Sequence, residues 1–210
     1  MSKVFVFGGS GRVATELIKD LVADGNSVTA ASRHPEKIID LDNVTADKLD
    51  LHSSVDDIAK QIKGVDAVYF TAGSRGQDVV QTDAMGAIKT MMAAKRAGIK
   101  RYVMLSSMFS LDVDSWNQLS WAGDYLPAKF FADTYLKDSS GLDYTIIQPT
   151  GLKEEAGTNK IQLQAPSDGT IAIPDVARVL ADSLKDANTI NKVIPISSGD
   201  TDIDDALKSL

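Results

Sequence analysis

The sequence predicts a doubly wound α/β fold. In this fold a parallel sheet of about seven strands carries helices on both faces, with a small C-terminal region added, in a single domain over residues 1–210. Three observations carry the prediction. Strand-like and helix-like segments alternate almost from end to end. The first apolar run breaks directly into a glycine-rich turn that opens a helix, Val4-Phe5-Val6-Phe7-Gly8-Gly9-Ser10-Gly11-Arg12-Val13-Ala14. No repeat, low-complexity tract or linker interrupts the alternation.

Taken in order, the strands expected are Lys3–Phe7, Ser27–Ser32, Val44–Ala46, Ala67–Thr71, Arg101–Ser106, Tyr144–Gln148 and Lys192–Ser197. Each is a short apolar run of the kind that suits a buried parallel sheet. Pro195 lacks an N–H for the ladder and confines the last strand to an edge. Between the strands lie helical patterns. Val13–Ala23 sets Val13, Leu17, Leu21 and Val22 near one face and is stopped by Gly25. Val55–Ile62 repeats that pattern. Thr82–Ala97 reads as one long helix ended by Gly98, and Ala128–Leu136 as another. Asp175–Lys185 begins after Pro174, a residue suited to a first helical turn. Asp202, Asp204 and Asp205 cap and charge-match a last helix. Two stretches break the pattern: Met108–Asp124, which holds Trp116 and Trp121 without a clear period, and Gly151–Ile171, with one short strand candidate at Lys160–Gln164. Both follow strands, so both belong on the carboxyl edge of the sheet, where open α/β folds bind ligands. The tryptophans mark the first as a pocket wall.

Composition narrows the function. The 210 residues carry a net charge of −7, which leaves no excess of basic residues for a nucleic-acid partner. There is no cysteine, which excludes disulfides, thiolate catalysis and iron–sulfur clusters. With His34 and His52 the only histidines, no metal site is expected and a histidine triad has no support. The first apolar stretch is too short for a secretory signal and no 18-residue apolar run follows, so a cytoplasmic protein with no membrane partner is expected.

The opening turn reads as a phosphate cradle of the Rossmann kind. Gly8 permits the tight turn out of the strand, Gly11 lacks a side chain where backbone meets a pyrophosphate, and Ala14 is small where the helix packs on the sheet. The helix offers free N–H groups and its positive dipole end to an anion. The end of the second strand then selects between nicotinamide cofactors. NAD-binding chains place an acid there for the ribose 2′-hydroxyl. Here the strand ends Ser32-Arg33-His34. Arg33 offers a planar fork of donors to a 2′-phosphate and Ser32 a hydroxyl, with Lys37 and Arg12 adding charge nearby. NADP is expected over NAD.

These motifs resemble the short-chain dehydrogenase/reductase superfamily, in particular its atypical, extended-like NAD(P)-binding members, the NmrA-like and the flavin- and biliverdin-reductase-like proteins. The resemblance covers nearly the whole chain. Gly8-Gly9-Ser10-Gly11-Arg12-Val13-Ala14 is similar to that branch's glycine motif. Leu49-Asp50-Leu51 looks like the segment that contacts adenine, and Thr71-Ala72-Gly73 like the one that lines the cofactor. Leu105-Ser106-Ser107 resembles the catalytic-serine strand end, with Ser107 the better match. Tyr125-Leu126-Pro127-Ala128-Lys129 carries the Y-x-x-x-K spacing. Gln148-Pro149-Thr150-Gly151-Leu152 looks like the turn after the sixth strand, with Gln148 where arginine is usual, and Ile173-Pro174-Asp175-Val176-Ala177 like a later helix start.

The resemblance implies a division of labour. Gly8, Ser10, Gly11, Arg12, Val13, Ser32, Arg33, Asp50, Leu51, Ala72, Gly73, Lys129 and Pro149 hold the dinucleotide. Ser107, Tyr125 and Lys129 do the chemistry: Tyr125 passes a proton, Lys129 also holds the nicotinamide ribose, and Ser107 positions a substrate oxygen. A phenol near pKa 10 is a poor proton donor or acceptor at neutral pH, and an ammonium one helical turn on is expected to lower it. Pro127 places Tyr125 at the helix entrance. Asp83 reads as structural, Met85, Met91 and Met92 as core, and His52 as surface. The expected function is an NADP-dependent oxidoreductase moving a hydride to or from a small carbonyl, quinone or flavin-like substrate, as a monomer or homodimer. The alternative is a non-catalytic NAD(P)-binding redox sensor, which has no need of the tyrosine and lysine.

Overall fold

The computed structural model describes all 210 residues. Seven strands pair in parallel: β1 (Lys3–Phe7), β2 (Ser27–Ser32), β3 (Val44–Lys48), β4 (Ala67–Phe70), β5 (Arg101–Leu105), β6 (Asp143–Pro149) and, late in the chain, a strand over Lys192–Ser198. Between β6 and that strand come β7 (Gly151–Lys153), β8 (Lys160–Gln162) and β9 (Thr170–Ala172), so Lys192–Ser198 is β10, and β11 (Thr201–Asp202) follows. The spatial order is β11-β8-β10-β6-β5-β4-β1-β2-β3. The chain winds outward from β1 to β3, then crosses back and winds the other way from β4. That reversal opens a crevice beyond the carboxyl ends of β1 and β4, where this fold binds ligands.

The doubly wound expectation is therefore met, with two additions. Strands β8 and β11 extend the sheet in antiparallel fashion. Strands β7 and β9 form a separate parallel pair, Gly151 opposite Thr170. Segments of two or three residues that pair across long stretches of chain leave no period in a sequence, so Gly151–Ile171 yielded only one strand to pattern reading. Pro195 does not confine its strand to an edge as expected: β10 lies between β6 and β8, and the proline is accommodated because its own position is paired on one side only. It lies opposite Gln148 of β6, while on the other side β8 pairs only with Ser197 and Ser198.

The helices are α1 (Arg12–Ala23), α2 (Val55–Gln61), α3 (Ala87–Arg96), α4 (Tyr125–Asp138), α5 (Ile173–Asp182) and α6 (Ile203–Lys208). One apolar layer joins Val4 and Val6 of β1 to Leu17, Ile18 and Leu21 of α1 and to α5; the other joins Phe5 and Phe7 to Ile58, Met91 and Leu136. Alternate residues of one strand thus feed opposite faces. Each large apolar side chain so buried contributes about 1.5–3 kcal/mol. Arg178 of α5 also ties itself to α1 through Asp24 at 2.6 Å.

Three expectations need correction. The long helix at Thr82–Ala97 is two pieces, a π-helical stretch over Val79–Gly86 and then α3. Gly86 sits at their joint, where a Cβ would lie 3.1 Å from the Leu51 side chain. Helix α4 begins at Tyr125 rather than Ala128, with Pro127 in its first turn. Of the three methionines read as core, only Met91 is buried; Met85 and Met92 are partly exposed.

Candidate functional site

The site is built from strand ends. Beyond β1, the chain turns at Gly8 with φ +82°, a conformation costly for any residue with a side chain. A Cβ there would stand 2.6 Å from the Ala72 backbone, so the turn and the segment after β4 can touch only because position 8 is glycine. The turn leads into α1, whose first residue follows Gly11 with no side-chain cap, leaving the helix's opening N–H groups for an anion. Ala14 is fully buried under the helix.

These features open on a cavity of about 510 Å³. Gly8, Ser10, Gly11, Arg12 and Val13 line it from the turn, Ser32 and Arg33 from β2, Asp50 and Leu51 from beyond β3, and Ala72 and Gly73 from beyond β4. Ser107, Tyr125, Lys129 and Pro149 line its far end. All the residues expected to hold the dinucleotide or do the chemistry, with one exception among the supporting cations, thus border one space. Lys37 does not. Its place is taken by Arg75, an exposed residue at φ +55° in the turn after β4.

The two ends of the cavity differ physically. At the β2 end, Ser32 is buried and its hydroxyl accepts the His34 N–H at 3.0 Å, while Arg33 stays exposed. Arg12 is exposed too and pairs with Glu154, just past β7, at 2.7 Å. Asp50 fixes its own turn by accepting the His52 N–H at 2.9 Å.

The other end is closed and polar. The Lys129 ammonium is almost wholly buried and donates to the Leu105 carbonyl at 2.9 Å. Burial lowers its pKa, and the carboxylates of Asp133 and Asp83 oppose that shift. Asp133, one helical turn past Lys129, is completely buried; its Oδ2 accepts the Ser106 and Ser110 hydroxyls, each at 2.5 Å, and Oδ1 has no protein partner. Burial raises the Asp133 pKa, against the pull of Lys129 and of these hydrogen bonds. Gln148, in the position where the resembled family has arginine, donates to Ser110 at 2.7 Å and completes the network.

The expected effect of Lys129 on Tyr125 is not found. Burial pushes the Tyr125 phenol up to about 12, the Asp83 carboxylate pushes the same way, and the adjacent Ser107 side chain pulls against both. Lysine and tyrosine share a helical turn, but the ammonium is bonded to the Leu105 carbonyl and lies in the field of the Asp133 and Asp83 carboxylates.

Asp83 is the residue that sequence reading undervalued. It does serve a structural role, accepting the Ser74 N–H at 3.1 Å. It also lines the cavity and acts electrostatically on both Tyr125 and Lys129. The π-helical stretch brings it there, and no sequence period announces such a stretch. Arg75 carried a readable signal, a cation beside Gly76 directly after a strand end. Trp121 lines a second, smaller cavity, as expected of a pocket wall; Trp116 instead donates to the Phe109 carbonyl at 2.8 Å and packs edge-on against Phe130.

Fold and site together define a dinucleotide-binding Rossmann protein. Comparison with known proteins agrees: residues 8–187 match the NAD(P)H-binding family, and the chain belongs to it. A Bacillus subtilis protein named as an uncharacterized sugar epimerase, YhfK, is 37% identical over 99% of this chain and 100% of its own. Sanguinarine reductase of Eschscholzia californica is 33% identical over 63% of this chain, which spans 51% of the plant enzyme. Among solved structures, the oxidoreductase ylbE of Lactococcus lactis superposes with a TM-score of 0.92 at 37% identity, covering 99% of this chain and 96% of its own. The chain is therefore a member of an NAD(P)-binding family that includes oxidoreductase- and epimerase-like proteins. No helix is long and apolar enough to cross a membrane.

Proposed function

We propose that the protein is an NADPH-dependent reductase of a small carbonyl, quinone or flavin-like compound, working in the cytoplasm as a monomer or homodimer. The observation that carries this reading is a single cavity that joins an acid-free, cationic strand end to the Ser107, Tyr125 and Lys129 cluster. The residues fit the dinucleotide. Gly8 to Val13 form a cradle whose turn packs on Ala72 only because position 8 carries no Cβ, and α1 points an uncapped end into it. Ser32, Arg33 and Arg75 supply donors for a 2′-phosphate, with no carboxylate at the end of β2 to repel it. When bound, the reduced nicotinamide supplies the hydride.

The chain's own groups do the rest. Lys129 holds the ribose and places positive charge beneath the site. Ser107 orients the substrate oxygen. Tyr125, held protonated by burial, donates the proton that a reduction requires. The raised pKa keeps the phenol protonated and leaves little phenolate to act as a base in the oxidative direction, while making the phenol a weaker acid than a free tyrosine. The name of the plant reductase supports the reductive direction.

A second reading, a non-catalytic NAD(P)-binding redox sensor, draws on the same observation: Lys129 does not activate Tyr125 in this geometry. Turnover separates the two. NADPH oxidation is assayed against simple carbonyls, quinones and flavins, with Tyr125→Phe alongside. The reductase reading expects kcat to fall about 10²-fold or more in the variant with NADPH affinity kept. Equally slow turnover by the two proteins on every substrate favours the sensor.

A further inference from the structure

The second cavity, of about 350 Å³, adjoins the first through three shared residues, Ser107, Pro149 and Thr150. Its remaining wall includes Trp121, Met108 and Asp168. The two spaces have opposite electrostatics. The first is bordered by Arg12, Arg33, Arg75 and Lys129 against Asp50 and Asp83. The second is bordered by one charged residue, Asp168, and by no lysine or arginine.

The segment that supplies Met108 and Trp121 to the wall carries one strained residue. Phe109 adopts φ +61°, unfavourable by about 1–2 kcal/mol for a side chain of that kind, and the Trp116 indole N–H holds its carbonyl at 2.8 Å. Further along the same segment Trp121 lines the cavity and remains 44% exposed. An indole face in a cavity, with a thioether beside it, is a stacking surface for a flat ring. At the seam, Ser107 lines both cavities and its side chain acts on the Tyr125 phenol, so the second cavity opens beside the proposed catalytic cluster.

We propose that this cavity selects a planar aromatic ring system that is neutral or cationic, and rejects phosphorylated ones. Trp121 supplies the stacking face and Asp168 the charge selection. The proposal rests on the reductase reading for the neighbouring cavity and adds the class of compound that meets the cofactor there. A phosphate brought to this wall faces the Asp168 carboxylate with no cation to offset it. Asp168 is exposed, so its effect is moderate and screened by salt. The stacking face acts at any ionic strength.

The test uses the full chain saturated with NADP⁺, so that binding is read without turnover. Riboflavin and its 5′-phosphate, FMN, share one ring system and differ in the phosphate; proflavine supplies a planar cation. Fluorescence anisotropy of each probe gives its Kd. The expected result is riboflavin and proflavine binding at least about fivefold more tightly than FMN at low salt, with the gap narrowing at 0.5 M salt. Asp168→Asn brings FMN to within about twofold of riboflavin. Trp121→Ala weakens riboflavin about tenfold, and Trp121→Phe, which keeps a ring, restores most of it. FMN binding as tightly as riboflavin, or riboflavin binding indifferent to Trp121→Ala, overturns the proposal. NADPH affinity measured on the same samples keeps the two readings apart. Loss of NADPH binding in the wild-type protein defeats the reductase reading itself, whereas NADPH binding without probe binding defeats only the second cavity's role.

Discussion

The two ends of the main cavity solve different physical problems with different materials. The end near β1 and β2 is backbone and exposed cation: a glycine at positive φ, an uncapped helix start, and Arg12, Arg33 and Arg75 reaching from water. Its electrostatics are screened by solvent and salt. The end near β5 and α4 is buried side chain: Lys129 and Asp133 out of water, two serines satisfying one carboxylate oxygen with a glutamine donating to one of them, and a phenol pushed up to about 12. There, each charge depends on its neighbours, because an unpaired buried charge is costly. The comparison teaches that one end should respond to salt and backbone change, and the other to pH.

The largest expected effect lies at the backbone end. Gly8→Ala drives a Cβ to 2.6 Å from the Ala72 backbone and sits at φ +82°, so a loss of about 2–4 kcal/mol in urea denaturation is expected, along with loss of NADPH binding. Gly25→Ala is the control: φ is +80° but a Cβ meets nothing within 4 Å, so the cost is about 1 kcal/mol and binding survives. Equal costs at the two positions would show that φ alone, not the close approach, makes Gly8 necessary.

The buried end is tested by pH. The folded-state pKa of Asp133 is raised, chiefly by burial, so its neutral form is favoured by folding. Its contribution to stability is full below the unfolded carboxyl value and declines as pH rises through the folded one. Asp133→Asn removes that decline. Relative to wild type, the variant should therefore gain stability between pH 4.5 and pH 7.5, measured by urea unfolding at both. A constant difference across that range would mean that the Ser106 and Ser110 hydrogen bonds fully offset desolvation.

The smallest effect belongs to the exposed pair. Arg12 and Glu154 are both largely in water, and such a bridge contributes well under about 1 kcal/mol. Glu154→Gln frees Arg12 for a phosphate and should tighten NADPH binding by no more than about threefold at low salt, with no change at 0.5 M. A tenfold change in either direction would show that Glu154 shapes the cradle rather than merely pairing across it.

The same contrast explains what the sequence disclosed. The backbone end was legible because its parts are contiguous: the run Gly8 to Ala14 encodes strand exit, turn and helix start in order, and Ser32-Arg33 encodes the acid-free strand end. The order of strand ends was legible too, so Ser107, Tyr125 and Lys129 could be placed on one edge. What escaped was pairwise and long-range. Lys129 was expected to lower the Tyr125 pKa from spacing alone, and spacing says nothing about the Leu105 carbonyl or Asp83 competing for the ammonium. Asp83 reaches the cavity through a π-helical stretch that reads as ordinary helix in sequence. Asp133 meets Ser106, Ser110 and Gln148 only once β5, α4 and β6 are packed.

The central claim is that the acid-free end of β2 makes this an NADPH site. It is tested most directly by the ratio of NADPH to NADH affinity, read by fluorescence titration in the wild-type protein and in Arg33→Ala. The expected wild-type result is NADPH bound at least about tenfold more tightly, with the variant losing about that factor for NADPH and almost nothing for NADH. Equal affinities in the wild type, or a preference that Arg33→Ala leaves unchanged, would contradict it.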